Sequence, residues 1–202
     1  MKLFARFAVK NHLPVHTTSE TNFADLVETE TPQGIAAVVR YANHDLLDLL
    51  TISPNTILAL DRIQDPGNMG TIIRTAEWFG VNGIIAARGT VDIYNPKVIR
   101  SAMGALFKIP VIQNINFGES ISLLKKANFS LFGSTLAYTK KQPQPKPQKS
   151  VIFIGSEAHG LDDKLIYKMD HLISIPGSGS VESLNAAIAA GIILYEFTGN
   201  RI

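Results

Sequence analysis

Three short polar segments of the chain contain residue types that bind anions or assist proton transfer. They occupy residues 68–76, 155–161 and 175–185, and each follows an apolar run typical of a buried strand. The carboxyl ends of parallel strands share one edge of a sheet, where open α/β folds bind their ligands. We therefore expect the three segments to meet at that edge. The third segment resembles a phosphate-binding loop, but it lacks the lysine of a P-loop and the glycine spacing of a dinucleotide fingerprint.

In the first segment, Arg74 is the side chain best suited to hold an anion. Asn68 is expected to cap a helix whose buried apolar stripe excludes Arg74. Because helical side chains lean toward the N-terminus, the guanidinium is expected to extend over Gly70, toward backbone amides that favour negative charge. Two interpretations remain open: Arg74 holds a nucleic-acid phosphate, or it pairs with Glu77 on the surface.

The other two segments each offer one polar side chain with two interpretations. Glu157 either contacts a ligand or RNA, or it caps a neighbouring backbone amide. His159 has no partner at the spacing of metal ligands. Ser183 follows a loop rich in glycine and serine and is either functional or the N-cap of the last helix. The small residues of that helix, within 186–191, suit tight internal packing or a subunit interface.

The elements that must position these segments alternate along the chain. Apolar runs predict strands over 57–63, 83–87, 109–113, 129–134, 151–155 and 172–176. Amphipathic stretches predict helices over 68–79, 95–106, 118–127, 162–169 and 183–197. This alternation is typical of an α/β fold with a mostly parallel sheet and helices on both faces.

Composition excludes several classes of protein. Hydrophobic residues make up 46% of the 202 and charged residues 18%, which is sufficient for a packed core. The chain has no cysteine, so disulfides, thiolate metal sites and cysteine nucleophiles are excluded, and a cytoplasmic location is expected. The apolar runs are too short to span a bilayer, and the first residues lack the pattern of a signal peptide. A formal charge of +2 means that any nucleic-acid surface must be local.

Two segments stand apart from this alternation. Residues 1–50 are polar over 15–34 and carry too little apolar sequence for a core of their own, so we expect an N-terminal extension followed by the main domain over 51–202. Residues 139–149 contain three prolines and four lysines, and they form either a solvated linker or a basic arm that contacts phosphates.

Taken in order, the three segments resemble the signature motifs of the SpoU/TrmH family of RNA 2′-O-ribose methyltransferases, within the SPOUT superfamily. The first motif is matched over 68–76, the second over 155–161, and the third by Ile175 and Pro176 followed by 183–185. Residues 95–105 also resemble a family stretch between the first two motifs. The similarity covers roughly 56–202.

The resemblance implies a C-terminal trefoil knot, a homodimer and S-adenosylmethionine as methyl donor, without a metal. Connections that knot are otherwise nearly absent from proteins, and the strand pattern alone does not suggest one. Carried over by position, the catalytic residues are Arg74, Asn68, Glu157, Ser183 and Asn185. The donor pocket is formed by Ser134, Thr135, Leu136, Gly155, Glu157, Gly160, Ile175, Pro176, Ser183, Leu184 and Asn185.

RNA is the substrate that the resemblance implies, ribosomal RNA first and transfer RNA second. The RNA contacts we expect are Arg74, Arg88, Lys97, Arg100, Lys140 and Lys141, although each lysine also suits a solvated face. Residues 29–35 resemble the junction after the family's small RNA-binding domain. Residues 1–50 are thus expected to be a remnant of that domain, as in a truncated gene product, which would impair or alter substrate recognition or leave it to another protein.

Three other functions compete with methyl transfer. The first is an RNA-binding protein that has the same fold and has lost catalysis. The second is a nucleotide-binding oxidoreductase, which the missing glycine fingerprint disfavours. The third is a purely structural dimer, which the polar residues at three strand ends disfavour.

Overall fold

A computed structural model describes the chain except for residues 1, 28, 30, 54, 137–146, 157–158 and 199–202. The chain divides into two compact units, Met1–Ala42 and Asn43–Ile202. This division lies ahead of the boundary after residue 50 that the sequence suggests, because a short helix at Leu46–Thr51 belongs to the second unit. The assignment of the first residues to an RNA-binding remnant stays a prediction.

The first unit contains two short helices, α1 (Lys2–Lys10) and α2 (Glu20–Leu26). Ser19 caps α2 by accepting a hydrogen bond from the Asn22 amide at 3.3 Å. Of the side chains described in this unit, only Ala8 is fully buried, as expected for a segment with so few apolar residues.

The described part of the second unit forms one six-stranded sheet in which every pairing is parallel. The strands are β1 (Asn55–Leu60), β2 (Gly83–Ala87), β3 (Val111–Ile115), β4 (Ser130–Ser134), β5 (Lys149–Ile154) and β6 (His171–Ile173). Their order across the sheet is β3-β2-β1-β5-β4-β6. Each predicted strand is present with only its ends displaced, so the predicted parallel α/β class is confirmed.

The helices of the second unit lie between and around these strands. They are α3 (Leu46–Thr51), α4 (Pro66–Trp78), α5 (Pro96–Ala102), a 3-10 turn (Ala105–Phe107), α6 (Phe117–Lys126), α7 (Asp163–Ile166) and α8 (Ala186–Thr198). α5 is shorter than predicted because Met103 and Gly104 adopt left-handed backbone, with φ of 50° and 85°. None of the helices in the described residues has both the length and the apolar character needed to cross a bilayer.

Two apolar layers cover the sheet, as the alternation of side chains along each strand requires. Leu58 and Leu60 of β1 face the layer that contains α4, α5 and α8. Ile57 and Ala59 face the opposite layer, which contains α3, α6 and α7. The buried stripe predicted for α4 is confirmed at Met69, Ile72, Ile73 and Ala76, while Phe79 is only partly buried.

Candidate functional site

Four neighbouring strands end together at the edge where the polar segments begin. Leu60 at the end of β1 is in register with Ile154 at the end of β5, and Ser134 of β4 is in register with Ile173 of β6. The edge continues beyond the strands, because the Asp61 amide donates to the Ile154 carbonyl at 2.9 Å. From β1 the chain continues to β2 and β3 on one side of the sheet, whereas β4, β5 and β6 all lie on the other side of β1. A topological switch point therefore lies between β1 and β5.

A hydrogen bond joins the first polar segment to the third. The Asn185 Nδ2 donates to the Asn68 Oδ1 at 2.9 Å, across 117 residues of sequence. The Asn185 Oδ1 accepts from the backbone amides of Ala187 and Ile188 at 2.9 and 3.3 Å. Asn185 therefore caps α8 with one atom and holds Asn68 with another. Of the two interpretations of Ser183, the N-cap is therefore wrong, because the helix begins at Ala186 and Asn185 caps it.

Asp65, not Asn68, caps α4. Its Oδ1 accepts from the Asn68 amide at 2.7 Å, and Pro66 occupies the first turn, where a missing amide hydrogen costs nothing. The predicted Asn68 cap is thus wrong by three positions. Asn68 instead lies in the first turn of α4 with its side chain directed at Asn185.

Gly70 does not provide the path for Arg74 that the sequence suggests, because α5 packs against it. A Cβ at Gly70 would lie 2.4 Å from the Ser101 Cβ and 2.6 Å from the Val98 carbonyl oxygen. The Arg74 side chain is exposed. Its predicted alternative partner, Glu77, pairs with Lys108 at 3.5 Å, so the alternative pairing is not formed. Among the described residues Arg74 has no hydrogen bond or ion pair, which leaves its guanidinium available to a ligand.

Packing between α4 and α8 determines where Arg74 stands relative to the third segment. Gly191 of α8 faces Thr75 of α4, and a Cβ at Gly191 would meet the Thr75 Cγ2 at 3.7 Å. The small residues of α8 thus serve internal packing, the first of the two predicted interpretations. Arg74 is next to Thr75 on the same helix and lies outside the contact with the sheet.

The second segment turns back on itself directly after β5. The Ser156 and Gly160 backbones bridge each other, with N–H to O distances of 3.2 and 2.9 Å. A Cβ at Gly155 would lie 2.0 Å from the Gly160 carbonyl carbon, and Gly160 itself has a φ of +65°. Gly155 is therefore required, because a Cβ would collide with the backbone, and glycine at 160 avoids a strained positive φ. Glu157 lies outside the described residues, and so its predicted role is a prediction still.

The other predicted donor-pocket residues lie at the rim of the same edge. Ser134 is the last residue of β4 and Thr135 follows it, and both are half-buried. The Thr135 amide donates to the Ile173 carbonyl at 2.8 Å. Ile175 packs partly buried against the core layer of α4 and α8. The remaining three, Leu136, Pro176 and Leu184, are exposed, as is Ser183.

The predicted RNA-binding cations within the described residues are exposed. Arg88 follows β2 at the carboxyl edge, and Arg100 lies in the last turn of α5. The Lys97 Nζ lies 3.9 Å from the Asp65 Oδ2, beside the start of α4. Lys140 and Lys141 lie outside the described residues.

Two charged residues at this edge were missed by the sequence interpretation. Asp61 is only 5% exposed, and both its carboxylate oxygens accept from the guanidinium of Arg62, at 3.2 and 2.9 Å. The hydrogen bond to Asp61, helped by the charges of Asp61 and Asp162, raises the pKa of Arg62. The available signal was an acid and a base side by side at the end of an apolar run.

The described surface also includes an open depression away from this edge. Among the described residues, no group of three or more His, Asp or Glu side chains could hold a metal ion. An open depression of about 280 Å³ is lined by Ser53, Ala127, Asn128, Pro147, Gln148 and Lys149. It lies at the amino end of β5, across the sheet from the polar segments.

Comparison with known families decides which family carries this arrangement. A family model described as the SpoU rRNA Methylase family matches residues 55–195. The chain belongs to this family. It is 37% identical over 182 residues to the 23S rRNA (guanosine(2553)-2′-O)-methyltransferase RlmP of Bacillus subtilis, which covers 90% of this chain and 71% of that protein. It is 34% identical over 182 residues to the 23S rRNA (uridine(2479)-2′-O)-methyltransferase of Streptomyces viridochromogenes, over 87% of this chain and 63% of that one.

Solved SpoU structures share the fold of this family member. An AdoMet-bound rRNA methyltransferase from Sinorhizobium meliloti is similar with a TM-score of 0.78 and 31% identity, over 91% of this chain and 71% of that chain. The SpoU methyltransferase AviRb from Streptomyces viridochromogenes, in complex with AdoMet, is similar with a TM-score of 0.73 and 32% identity, over 91% and 69%. The predicted family is thereby confirmed.

Proposed function

We propose that this SpoU-family protein transfers a methyl group from S-adenosylmethionine to a ribose 2′-hydroxyl of RNA. The observation that carries the proposal is the hydrogen bond from Asn185 to Asn68. It joins the first and third motifs at one edge of the sheet, and the helix that carries Asn68 also carries Arg74, an exposed arginine without a protein partner among the described residues. The Bacillus subtilis and Streptomyces viridochromogenes relatives are both named as 23S rRNA 2′-O-methyltransferases.

The described residues that follow β6 suit the donor. Gly177 and Gly179 border open space, and Ile175 and Leu184 offer apolar surface, with the hydroxyl of Ser183 next to Leu184 in sequence. Such a combination suits an adenosine, which needs apolar contact for its base and polar contact for its ribose. When bound, S-adenosylmethionine supplies a methyl group activated by a sulfonium. The pocket also includes Ser134, Thr135, Leu136, Gly155, Glu157, Gly160, Pro176 and Asn185.

The side chains of the protein then have to position the hydroxyl and assist the loss of its proton. Arginine keeps its proton because its pKa is above about 12, so we assign Arg74 to clamp the adjacent phosphate and polarise the hydroxyl. Asn68 and Asn185 hold the ribose and the start of α4 in fixed relation. Glu157 aligns the arginine, and Ser183 orients donor or ribose.

The RNA we propose is ribosomal, with transfer RNA second. Arg88, which follows β2, is exposed, as are Lys97 and Arg100 of α5. These cations would contact phosphates, together with Lys140 and Lys141 of the basic arm. A ribose in a flipped or single-stranded nucleotide is the easier target, because a regular helix encloses its riboses.

We also assign to this protein the homodimer, the trefoil knot and the cytoplasmic location that the family implies. Support for a dimer comes from apolar side chains exposed on α4 and α8, notably Trp78 at 81% and Tyr195 at 66%. Light scattering during gel filtration is expected to give twice the chain mass of 22.0 kDa. A Tyr195→Glu variant is expected to shift toward the monomer, and a monomeric wild type would contradict the dimer.

The test of the activity uses purified protein, S-adenosylmethionine labelled in its methyl group, and RNA transcribed in vitro. We expect label in the ribose of the RNA. Arg74→Ala is expected to lower the rate of methyl transfer at least about 100-fold, because the 2′-hydroxyl loses both its positioning and its polarisation. Calorimetry is expected to show nearly unchanged binding of the methyl donor. Lys126→Ala, an exposed cation on α6, is the matched control. RNA binding without label would favour the non-catalytic alternative, and full turnover by Arg74→Ala would refute the role of Arg74.

A further inference from the structure

Arg62 has a backbone conformation that residues with a side chain rarely adopt. It is the second residue after β1, at the centre of the carboxyl edge, and has a φ of 55°. Left-handed backbone is strained for a side chain other than glycine or asparagine and persists where the surroundings fix it. Strain of this kind is concentrated at functional sites.

The partner of Arg62 is the preceding residue, and it is buried. Asp61 receives hydrogen bonds from the Nε and from one terminal nitrogen of Arg62, at 3.2 and 2.9 Å. An ion pair between adjacent residues closes no loop of the chain, so it adds little to the fold, while burying Asp61 carries a cost. What the pair does achieve is a guanidinium held in one orientation.

The guanidinium retains donors for a further ligand. The side chain of Arg62 is 39% exposed, and two of its five N–H groups suffice for Asp61. Its Cγ lies 3.6 Å from the position that a Cβ at Gly89 would take, so the arginine lies along the loop after β2. Arg88 stands next to that glycine and is exposed. Two arginines thus occupy neighbouring strand ends beside the first motif.

We propose that Arg62 binds a phosphate of the RNA substrate and that Asp61 positions it for that contact. A planar guanidinium with one edge fixed by a carboxylate presents its other donors in the fork that matches phosphate oxygens. This inference rests on the proposed function, because the RNA that Arg62 binds is the substrate whose ribose is methylated at Arg74. Arg62 is assigned a binding role and no part in the methyl transfer itself.

The variants distinguish three effects: the loss of the Arg62 guanidinium, the relief of backbone strain at Arg62, and the burial of the unpaired Asp61 charge. Arg62→Gly removes the guanidinium and accepts the positive φ, but it leaves Asp61 buried without its partner. The double variant Asp61→Asn/Arg62→Gly removes that charge as well. Arg62→Lys retains the charge and loses the fork. Lys126→Gln, on the opposite helical layer, is the matched control for the loss of one cation.

The experiment measures filter binding of 16S and 23S rRNA transcribed in vitro, over a series of salt concentrations. For the double variant we expect about tenfold weaker RNA binding and a salt slope lower by about 1, with donor affinity and melting temperature close to wild type. Arg62→Lys is expected to keep the salt slope while binding more weakly. RNA affinity and salt slope equal to wild type in the double variant would overturn the proposal.

Two further outcomes are also decisive. If the double variant fails to fold, Arg62→Lys tests the proposal in its place. RNA binding by Arg62→Lys equal to that of wild type would show that the fork of the guanidinium is not needed, and would overturn the proposal. Binding and methylation are measured separately. A wild type that binds the transcripts without methylating them contradicts the proposed function alone, whereas unchanged binding by the double variant contradicts only the assignment of Arg62.

Discussion

The side-chain amide of Asn185 bridges two parts of the protein, with its oxygen at the start of α8 and its nitrogen 2.9 Å from the Asn68 Oδ1. Because the amides of α8 require an acceptor, the orientation of the Asn185 amide is fixed, and its NH₂ group must face Asn68. An interaction that a helix cap needs for stability thereby also determines the geometry between two motifs.

Replacing Asn185 by Asp is expected to separate stability from activity. Aspartate still accepts from the amides of α8 and caps the helix, so the free energy of unfolding should change by less than about 1 kcal/mol. It cannot donate to Asn68, and it places a negative charge beside the Asn68 oxygen, so we expect methyl transfer to fall at least about tenfold, as for one lost positioning contact. Urea unfolding and initial rates of RNA labelling measure the two effects.

The control for this change is Asn116→Asp. Asn116 caps α6 by accepting from the Gly118 amide at 3.0 Å and donates its NH₂ to Glu119 at 2.6 Å. This variant also loses a side-chain donor at a helix cap, but at the end of β3, remote in the sheet from the motifs. It should therefore retain its activity. If Asn185→Asp were as active as the wild type, the hydrogen bond to Asn68 would have no part in catalysis.

Two glycine-to-alanine substitutions test the packing around α4. Gly70→Ala is expected to destabilise the protein by about 1–3 kcal/mol, because the methyl would collide with the backbone of α5 at Val98 and Ala102. Gly191→Ala should be neutral or stabilise by up to about 1 kcal/mol, because its methyl meets only the Thr75 Cγ2 at 3.7 Å and alanine favours a helix. Chemical denaturation measures the change in the free energy of unfolding for each variant. Equal changes for the two variants would contradict the tight contact of α4 with α5.

Gly155→Ala tests the turn after β5. A Cβ there would lie 2.1 Å from the Leu161 amide nitrogen, which is backbone and cannot move aside without opening the bridge between Ser156 and Gly160. We expect the donor affinity to fall along with a loss of stability of about 1–3 kcal/mol. Gly191→Ala is the control, because Gly191 lies outside the proposed donor pocket and a Cβ there makes only an ordinary contact with the Thr75 Cγ2 at 3.7 Å. A stable Gly155→Ala that binds donor normally would show that the turn can open without cost.

The features that depend on a local pattern of residues could be predicted from the sequence. Apolar runs such as 57–60 marked the strands, and polar residues directly after them marked the functional edge. Contacts between distant segments left no such local trace. The bond between Asn68 and Asn185 and the packing of α5 on Gly70 depend on how helices are docked, which no window of the sequence contains. The cap of α4 was misplaced because Asp65 and Asn68 are both good caps, and the helix could begin after either one.

A final prediction concerns Asp170, a carboxylate that connects α6 to the sheet. It accepts from the Lys125 Nζ and from the Leu131 amide, each at 2.8 Å. Partial burial by itself raises the pKa of Asp170. That effect is outweighed by the two hydrogen bonds and by the charges of Lys125 and His171, and the pKa lies below its ordinary value.

A carboxyl group whose pKa is lowered by folding stabilises the protein above its unfolded pKa of about 3.9, and this contribution is lost as the pH falls through the lower folded value. Lys125→Met should therefore reduce the free energy of unfolding near neutral pH, by less than about 1 kcal/mol because the pair is partly exposed. The difference from wild type should shrink as the pH falls below about 4. Lys126→Met is the control, because Lys126 has no ion pair among the described residues. Urea denaturation at low salt measures the differences, and one that grows toward acid would contradict the lowered pKa of Asp170.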